Sequence, residues 1–412
     1  MMIELKNFCE FLDSKINTSE IEKNTYVSTE NMLQNKAGIC VATNLPDVLS
    51  VSSFQKNDIL ISNIRPYFKK IYYAKFDGGC SNDVLVFRAK ENTDSKFLYY
   101  VLSDDKFFDY ATATAKGTKM PRGDKVAIMK YSVPNFDIAV QKRIAGILGA
   151  LDDRIDVLRR ENVVLEQMAQ AVFQSWFVDF DIVRAKAAGT PESEVCEKYH
   201  ISPELYALFP SALTPDNLPL GWEKKSLGDI SQYSKEKTTN VNIETYVSTE
   251  NMLPNYGGIE KASSVPETGQ STRYKAGNVL ISNIRPYFKK IWFADREGSC
   301  SNDVLVFSSN SIGKCMLYSI LAQDAFFDFV MSGANGDKMP RGNKKHIMTY
   351  PVIFPNMDLL NKFENLVASL FDKKSKNAQQ IRALSATRDA LLPQLLGGKI
   401  DVENVPLLSV NE

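Results

Sequence analysis

The apolar residues of this chain follow two different periods. From residue 139 they step alternately by four and three: Ile144, Leu148, Leu151, Ile155 and Leu158, then the polar Asn162, then Leu165, Ala169, Val172 and Trp176. That spacing is the a/d seam of a helix that pairs with another helix, and no proline interrupts residues 135–190. A helix of about 40 residues rises roughly 60 Å, more than one small domain needs for its own packing. Before residue 139 the texture differs. Short runs such as 59–61 and 84–87, apolar and β-branched and set between Gly, Asn and Asp, predict strands between turns.

The whole pattern then occurs a second time. TYVSTENML stands at 25–33 and 245–253, LISNIRPYFKKI at 60–71 and 280–291, and CSNDVLVF at 80–87 and 300–307, each pair 220 positions apart. FFD at 107–109 and 326–328 and KMPRG at 119–123 and 338–342 follow at 219, one residue having been lost in a loop. Solenoid repeats run to tens of residues and cannot fold alone, whereas a unit of about 220 residues holds a domain and an appendage. The second seam is Phe363, Val367, Leu370, Lys374, Asn377, Ile381, Leu384, Arg388, Leu391 and Leu395. It keeps the register of the first with more polar positions, and Pro393 is expected to end or kink the helix near its last turn.

Two equivalent units are most simply related by a pseudo-two-fold axis, which predicts antiparallel helices. With their ends aligned, Asn162 lies opposite Asn377, and two buried amides satisfy each other. Residues 187–222 carry Gly189, Pro191, Pro203, Pro210, Pro215, Pro219 and Gly221, the composition of a connector with at most short helical turns. The expected organisation is α+β: two pseudo-repeated mixed domains, each followed by a long helix. The expected boundaries are a first domain at 1–138, a helix at 139–186, the connector at 187–222, a second domain at 223–358, a helix at 359–400 and a tail at 401–412, where a short strand could follow Gly398.

Composition narrows the function. The chain has 412 residues, enough for two to three domains, and 49 Lys and Arg against 49 Asp and Glu. A net charge of zero removes the simplest sign of nucleic-acid binding, so any such binding must come from local patches. No run of about 18 apolar residues occurs, and the first residues lack the basic-then-apolar pattern of a secretory signal. The six cysteines (Cys9, Cys40, Cys80, Cys196, Cys300 and Cys315) form no C-x-x-C pair, so neither a metal site nor a redox dithiol is expected, and they read as free thiols in a reducing cytoplasm.

Catalytic patterns are missing. There is no G-x-G and no G-x-x-x-x-G-K-[ST] phosphate loop, and the two histidines, His200 and His346, are not repeat equivalents. NIRPY at 63–67 and 283–287 lacks the first proline of the N-P-P-Y loop of amino-methyltransferases, and Pro215-Asp216 with Glu223 and Lys225 is too tightly spaced for a metal-dependent nuclease. No catalytic residue and no cofactor bound by this chain are expected.

The patches that remain are basic and aromatic. Asn63, Arg65, Tyr67, Lys69 and Lys70 form one, copied as Asn283, Arg285, Tyr287, Lys289 and Lys290, and Pro66 and Pro286 place each on a turn after a strand. A second cluster contains Lys119 and Arg122 with Lys116, Lys125 and Lys130, copied around Lys338 and Arg341. Cations on rigid turns suit DNA phosphates. A solvated charged loop would look the same in a single copy, but these blocks stay identical while their neighbours diverge. Only five of 24 positions match between 34–57 and 254–277: Asn35, Gly38, Ile39, Ala42 and Pro46. A DNA reader that retained its phosphate clamps and altered its base-facing segments would diverge in this way, and neutral drift of a loop would look similar.

At this point the chain resembles the specificity subunits of type I restriction–modification systems over nearly its whole length. The resemblance is carried by QKRIAGILGALDDRI (141–155), ENVVLEQMAQAVFQSWFVDFDIVRAKAAG (161–189), RDALLPQLLGGKI (388–400), DILISNIRPYFKK (58–70) and LPLGWEKKSLGDI (218–230). It implies two target-recognition domains joined by an antiparallel coiled coil that acts as a ruler, reading a bipartite site in double-stranded DNA across an unread spacer. It also implies a chain without its own catalytic site that recruits two modification (methyltransferase) subunits, docked by the helices and the WFVDFD and LLPQLLGG segments, and restriction subunits. S-adenosylmethionine, ATP and Mg are expected on those partners, in the cytoplasm. One departure is the short lead before the first domain, against a fuller one at 218–230. The alternative is a duplicated adaptor whose aromatic-basic turns bind a protein.

Overall fold

The computed structural model describes residues 2–402, and the expected tail falls almost wholly on 403–412, outside the described residues. The chain divides into two units, one of residues 1–157 with 380–412 and the other of residues 158–379.

In the first unit, Met2–Glu4 pairs antiparallel with Ser132–Pro134, so even the short lead supplies a closing strand. A four-stranded antiparallel sheet runs in the order Cys9–Phe11, Val84–Ala89, Ile59–Ser62, Ile71–Tyr73. Its central strands are apolar without alternation because both of their faces are covered. Ile59, Ile61, Leu85 and Phe87 pack with Leu98, Val101 and Phe107 of the helices Ser95–Ser103 and Asp105–Ala113. Leu60, Val84 and Val86 pack with Val27, Met32, Phe54 and Cys80 of a second sheet. That sheet runs Lys15–Asn17, Ser50–Phe54, Gly78–Cys80, Tyr26–Val27, its last pair parallel.

The second unit rebuilds this plan. Glu223–Ser226 pairs with Pro351–Phe354, and one sheet runs Ser231–Tyr233, Val304–Ser309, Val279–Ser282, Ile291–Phe293. The other runs Lys237–Thr238, Ser271–Tyr274, Gly298–Cys300, Tyr246–Val247. The helices Lys314–Leu321 and Asp324–Ser332 follow.

One glycine is fixed by close approach. A Cβ at Gly78 would lie 2.1 Å from the Thr25 carbonyl oxygen, and one at the equivalent Gly298 would lie 2.4 Å from that of Thr245. Gly78→Ala is therefore expected to destabilise the first unit by about 2 kcal/mol, the scale of an overpacked core. An unchanged thermal midpoint would show that the backbone yields more easily than its double cover allows.

The first long helix, Ile138–Phe173, passes into one π turn at Gln174–Val178 and stops at Phe180, whose φ of +56° is left-handed. It therefore ends short of residue 186, because the π turn lets Trp176 and Phe177 both enter the core. The connector forms short helical turns that pack. Its helices Asp181–Ala187, Glu192–Tyr199 and Pro203–Ala207 are packed down by Val195, Phe209 and Trp222, which join Trp176 and Phe363 in the core of the second unit. The second long helix, Met357–Leu396, continues through Pro393. It ends one turn later at Gly397 and Gly398, where the Gly398 N–H donates to the Leu395 carbonyl at 3.1 Å with Gly398 at φ +63°.

Each unit contains one antiparallel helix pair. In the first, Arg388 Nη1 lies 2.7 Å from Asp152 Oδ1, Tyr100 Oη donates to Asp152 Oδ2 at 2.7 Å, and Ile144 and Leu148 share a core with Leu392 and Leu395. In the second, Asn377 Nδ2 donates to Asn162 Oδ1 at 3.0 Å, Lys374 pairs with Glu166, and Phe173 meets Phe363 at 6.0 Å. Every seam position named above is buried or half-buried.

Candidate nucleic-acid interface

After the strand Ile59–Ser62 the chain turns through two left-handed residues. Arg65 has φ +51°, Pro66–Phe68 makes a single 3-10 turn, and Lys69 has φ +51°. Arg285 (+49°) and Lys289 (+50°) repeat this around Pro286–Phe288. Left-handed conformations are uncommon for residues with a Cβ and persist where their surroundings hold them. Here the holding partner is the second basic cluster. The Arg65 N–H donates to the Pro121 carbonyl at 2.8 Å, the Gly123 N–H donates to the Asn63 carbonyl at 3.1 Å, and Ile64 bridges Arg122. In the copy, Arg285 donates to Pro340 at 2.8 Å, Gly342 donates to Asn283 at 3.2 Å, and Ile284 bridges Arg341. Two clusters far apart in sequence thus form one surface in each unit.

The predicted residues take different places on it. Lys119 and Lys338 are exposed at the loop tip beside Met120 and Met339, and Tyr67 and Tyr287 are exposed on the turn. Arg122 faces Asp83 at 2.9 Å and Arg341 faces Asp303 at 3.3 Å, each cation more than half exposed. Lys69 pairs with Asp105 at 2.9 Å and Lys289 with Asp324 at 2.7 Å. Lys70 and Lys290 depart from the expected phosphate-facing role. Each turns inward and donates from Nζ to the carbonyl of Thr29 or Thr249 at 2.7 Å, and burial lowers the pKa of both. They hold the TYVSTENML loop against the turn. Asn63 Oδ1 and Arg65 Nε are buried without a hydrogen-bond partner, as are Asn283 Oδ1 and Arg285 Nε. The same polar atoms are thus left unsatisfied in both copies, where most buried polar atoms find partners.

Other functional positions were not singled out in the sequence. Asn31 is the hub of the TYVSTENML loop: its Nδ2 donates to the carbonyls of Tyr26 and Cys40, both at 2.9 Å, and its Oδ1 accepts from the Ser28 N–H at 2.6 Å. Asn251 repeats all three bonds. Asp105 and Asp324 anchor the turns. Burial raises the Asp105 carboxyl, but hydrogen bonds from Lys36 and Lys69 outweigh it and leave the pKa lowered. Lys289 and then Tyr256 lower that of Asp324. A depressed carboxyl stabilises the fold above its ordinary titration range and loses that contribution as pH falls through it. The signal for Asp105 and Asp324 lay in the sequence: they stand just before the shared FFD blocks.

No cluster of three or more His, Cys, Asp or Glu able to hold a metal occurs among the described residues, and no described helix is long and apolar enough to cross a membrane. His346 stacks on Phe329 at 4.2 Å as a structural side chain.

Two α+β domains of one design each carry the same basic, aromatic turn beside a segment that differs between them. The family model described as the type I restriction modification DNA specificity domain matches residues 1–167. The specificity subunit of the type I restriction enzyme HindI from Haemophilus influenzae is 24% identical over 91% of this chain and 94% of its own. That of the MjaIX enzyme from Methanocaldococcus jannaschii is 23% identical over 77% of this chain and 71% of its own. A crystal structure of a type I restriction–modification S subunit from M. genitalium aligns with 96% of each chain at 16% identity and a TM-score of 0.49. Residues 1–167 thus match that family model, and over most of its length the chain is similar to specificity subunits of type I restriction enzymes.

Proposed function

We propose that this chain reads a bipartite site in double-stranded DNA, one half per domain, without catalysing a reaction itself. The long helices set the unread spacer and, with the WFVDFD and LLPQLLGG segments, seat two methyltransferase subunits, and restriction subunits join that complex. S-adenosylmethionine, ATP and Mg belong to those partners, and the complex works in the cytoplasm. The observation that carries the reading is the rebuilding of one cationic surface in both domains from two separated segments, with the divergent segments 34–57 and 254–277 hydrogen-bonded to its turns. Phosphate contacts are common to all sequences and base contacts are not, so a reader of two different half-sites keeps the first and changes the second. Base edges are distinguished most fully in the major groove.

On this reading Lys119, Lys338, Arg122, Arg341, Arg65, Arg285, Tyr67 and Tyr287 face the DNA backbone, with Asn63 and Asn283 supporting the turns. Lys119→Ala with Lys338→Ala removes two exposed cations and no internal bond. The variant should bind cognate and random duplexes more weakly by the same factor, with the salt slope of log affinity reduced by about two. Fluorescence anisotropy across a salt series measures both. Duplex binding that is independent of salt and of these lysines would favour the protein-binding adaptor.

A further inference from the structure

The two domains hold their divergent segments on the same frame. Asn31 and Asn251 donate to the carbonyls of Cys40 and Glu260, both at 2.9 Å. Ala42 and Ala262 are both buried, at 4% and 5% exposure. What the frame presents to solvent differs. In the first domain Val41, Val48 and Leu49 are 66%, 54% and 87% exposed. The equivalents 220 positions on are Lys261, Thr268 and Gly269, also exposed.

Leu49 is not loosely placed. Its carbonyl accepts from the Thr18 N–H at 3.0 Å and that of Val48 accepts from Thr18 Oγ1 at 2.5 Å, where the hairpin Lys15–Asn17 with Ser50–Phe54 begins. The backbone is pinned while the side chains stand in water. Three large apolar side chains exposed within nine residues call for a ligand more than scattered single ones do. A partner present in two identical copies would favour the same side chains on both domains, as at Tyr67 and Tyr287 or Met120 and Met339. A split DNA site offers each domain a different surface, and these positions are among those where the domains differ. The one apolar group on a DNA base edge is the C5-methyl of a pyrimidine, which projects into the major groove and belongs to thymine in unmodified DNA.

We propose that Val41, Val48 and Leu49 form an apolar reading edge for thymine methyl groups in the half-site of the first domain. The second domain, with Lys261, Thr268 and Gly269 in their place, reads its half-site without such contacts. This rests on the split-site reading above and gives one half of the site its chemistry.

The test uses the full chain. Sequencing of duplexes selected from a random pool gives the preferred site, and each thymine in it is then replaced singly by deoxyuridine, which removes only the methyl. Within one half-site, at least one replacement should weaken binding about four-fold, the effect of one buried methyl. The same replacement should have no effect on Leu49→Ala or on Val48→Ala, and replacements in the other half-site should have none on the unaltered chain. A preferred site insensitive to deoxyuridine overturns this inference alone, as does a sensitivity that survives in Leu49→Ala, Val48→Ala and Val41→Ala alike. A selection that returns no preferred sequence overturns the split-site reading and this inference with it. All three side chains are exposed, so the variants should fold, and an unchanged thermal midpoint verifies it.

Discussion

A chain in which residues 34–57 are replaced by residues 254–277 should prefer a site whose two halves read alike, and should lose its preference for its original site by roughly 100-fold or more, the consequence of two or more lost base contacts. The exchange is compatible with the fold because the anchors match. The N–H groups of Asn35 and Lys36 donate to the carbonyls of Phe68 and Lys69, both at 2.9 Å, and those of Asn255 and Tyr256 donate to Phe288 and Lys289 at 2.8 and 3.0 Å. All four anchor residues are left-handed, with φ of 54° and 63° in one domain and 52° and 62° in the other. Lys36 reaches Asp105, and Tyr256 reaches the equivalent Asp324, so the grafted tyrosine meets a carboxylate it already fits. Tyr274 replaces Phe54 in the graft. Its hydroxyl donates to the Thr245 carbonyl at 2.6 Å in the second domain, and Thr25 offers the same carbonyl in the first. Selection of duplexes by the parent and the exchanged chain measures the outcome. A folded exchanged chain that retained its original half-site would place base reading outside these segments.

The helical seams were readable because a helix imposes its period locally, and each turn of Ile144, Leu148 and Leu151 repeats the same message. The strands at 59–62 and 84–89 were readable because burial on both faces leaves an unbroken apolar run. The packing of the connector was not legible for a physical reason: prolines and glycines mark where a chain bends, not whether the pieces between them pack. Only tertiary contact shows that Val195, Phe209 and Trp222 are core residues. The π turn at Gln174–Val178 has no local signal either. In the candidate interface, composition located the cations but not their directions. Lys69 and Lys70 are neighbours, yet the left-handed turn at Lys69 aims one at Asp105 and the other at the Thr29 carbonyl. The joining of the turn at 63–70 to the loop at 116–123 is a long-range backbone pairing, which no local pattern encodes.

Removal of Glu166 should destabilise the second unit by about 3 kcal/mol, near the lower end of the range for breaking a buried ion pair. Glu166 pairs with Lys374 and also accepts from the hydroxyl of the fully buried Tyr318, whose pKa is driven up by burial so that it remains a donor. Glu166→Leu leaves an ammonium and a hydroxyl without their acceptor. The side chains of Glu166 and Lys374 retain 17% and 27% exposure, which keeps the cost from rising further. Glu166→Leu with Lys374→Leu should recover about 1.5 kcal/mol of the sum of the single costs, because no charge is stranded and Lys374 itself occupies a seam position that suits an apolar side chain. Urea unfolding of the four chains gives the cycle, and strictly additive losses would show that the pair is not coupled. The first unit has its own version in Asp152, Arg388 and Tyr100. In both units the acid lies on the first long helix and the base on the second. The repeat equivalents of Asp152 and Glu166 are Phe371 and Ser385, and those of Lys374 and Arg388 are Ile155 and Ala169. A first helix set against another first helix in the same register would face Asp152 with Ala169 and Glu166 with Ile155, two carboxylates without cations. These polar positions therefore trade seam stability for a pairing in which first meets second, and the double-mutant cycle measures how strongly that choice is enforced.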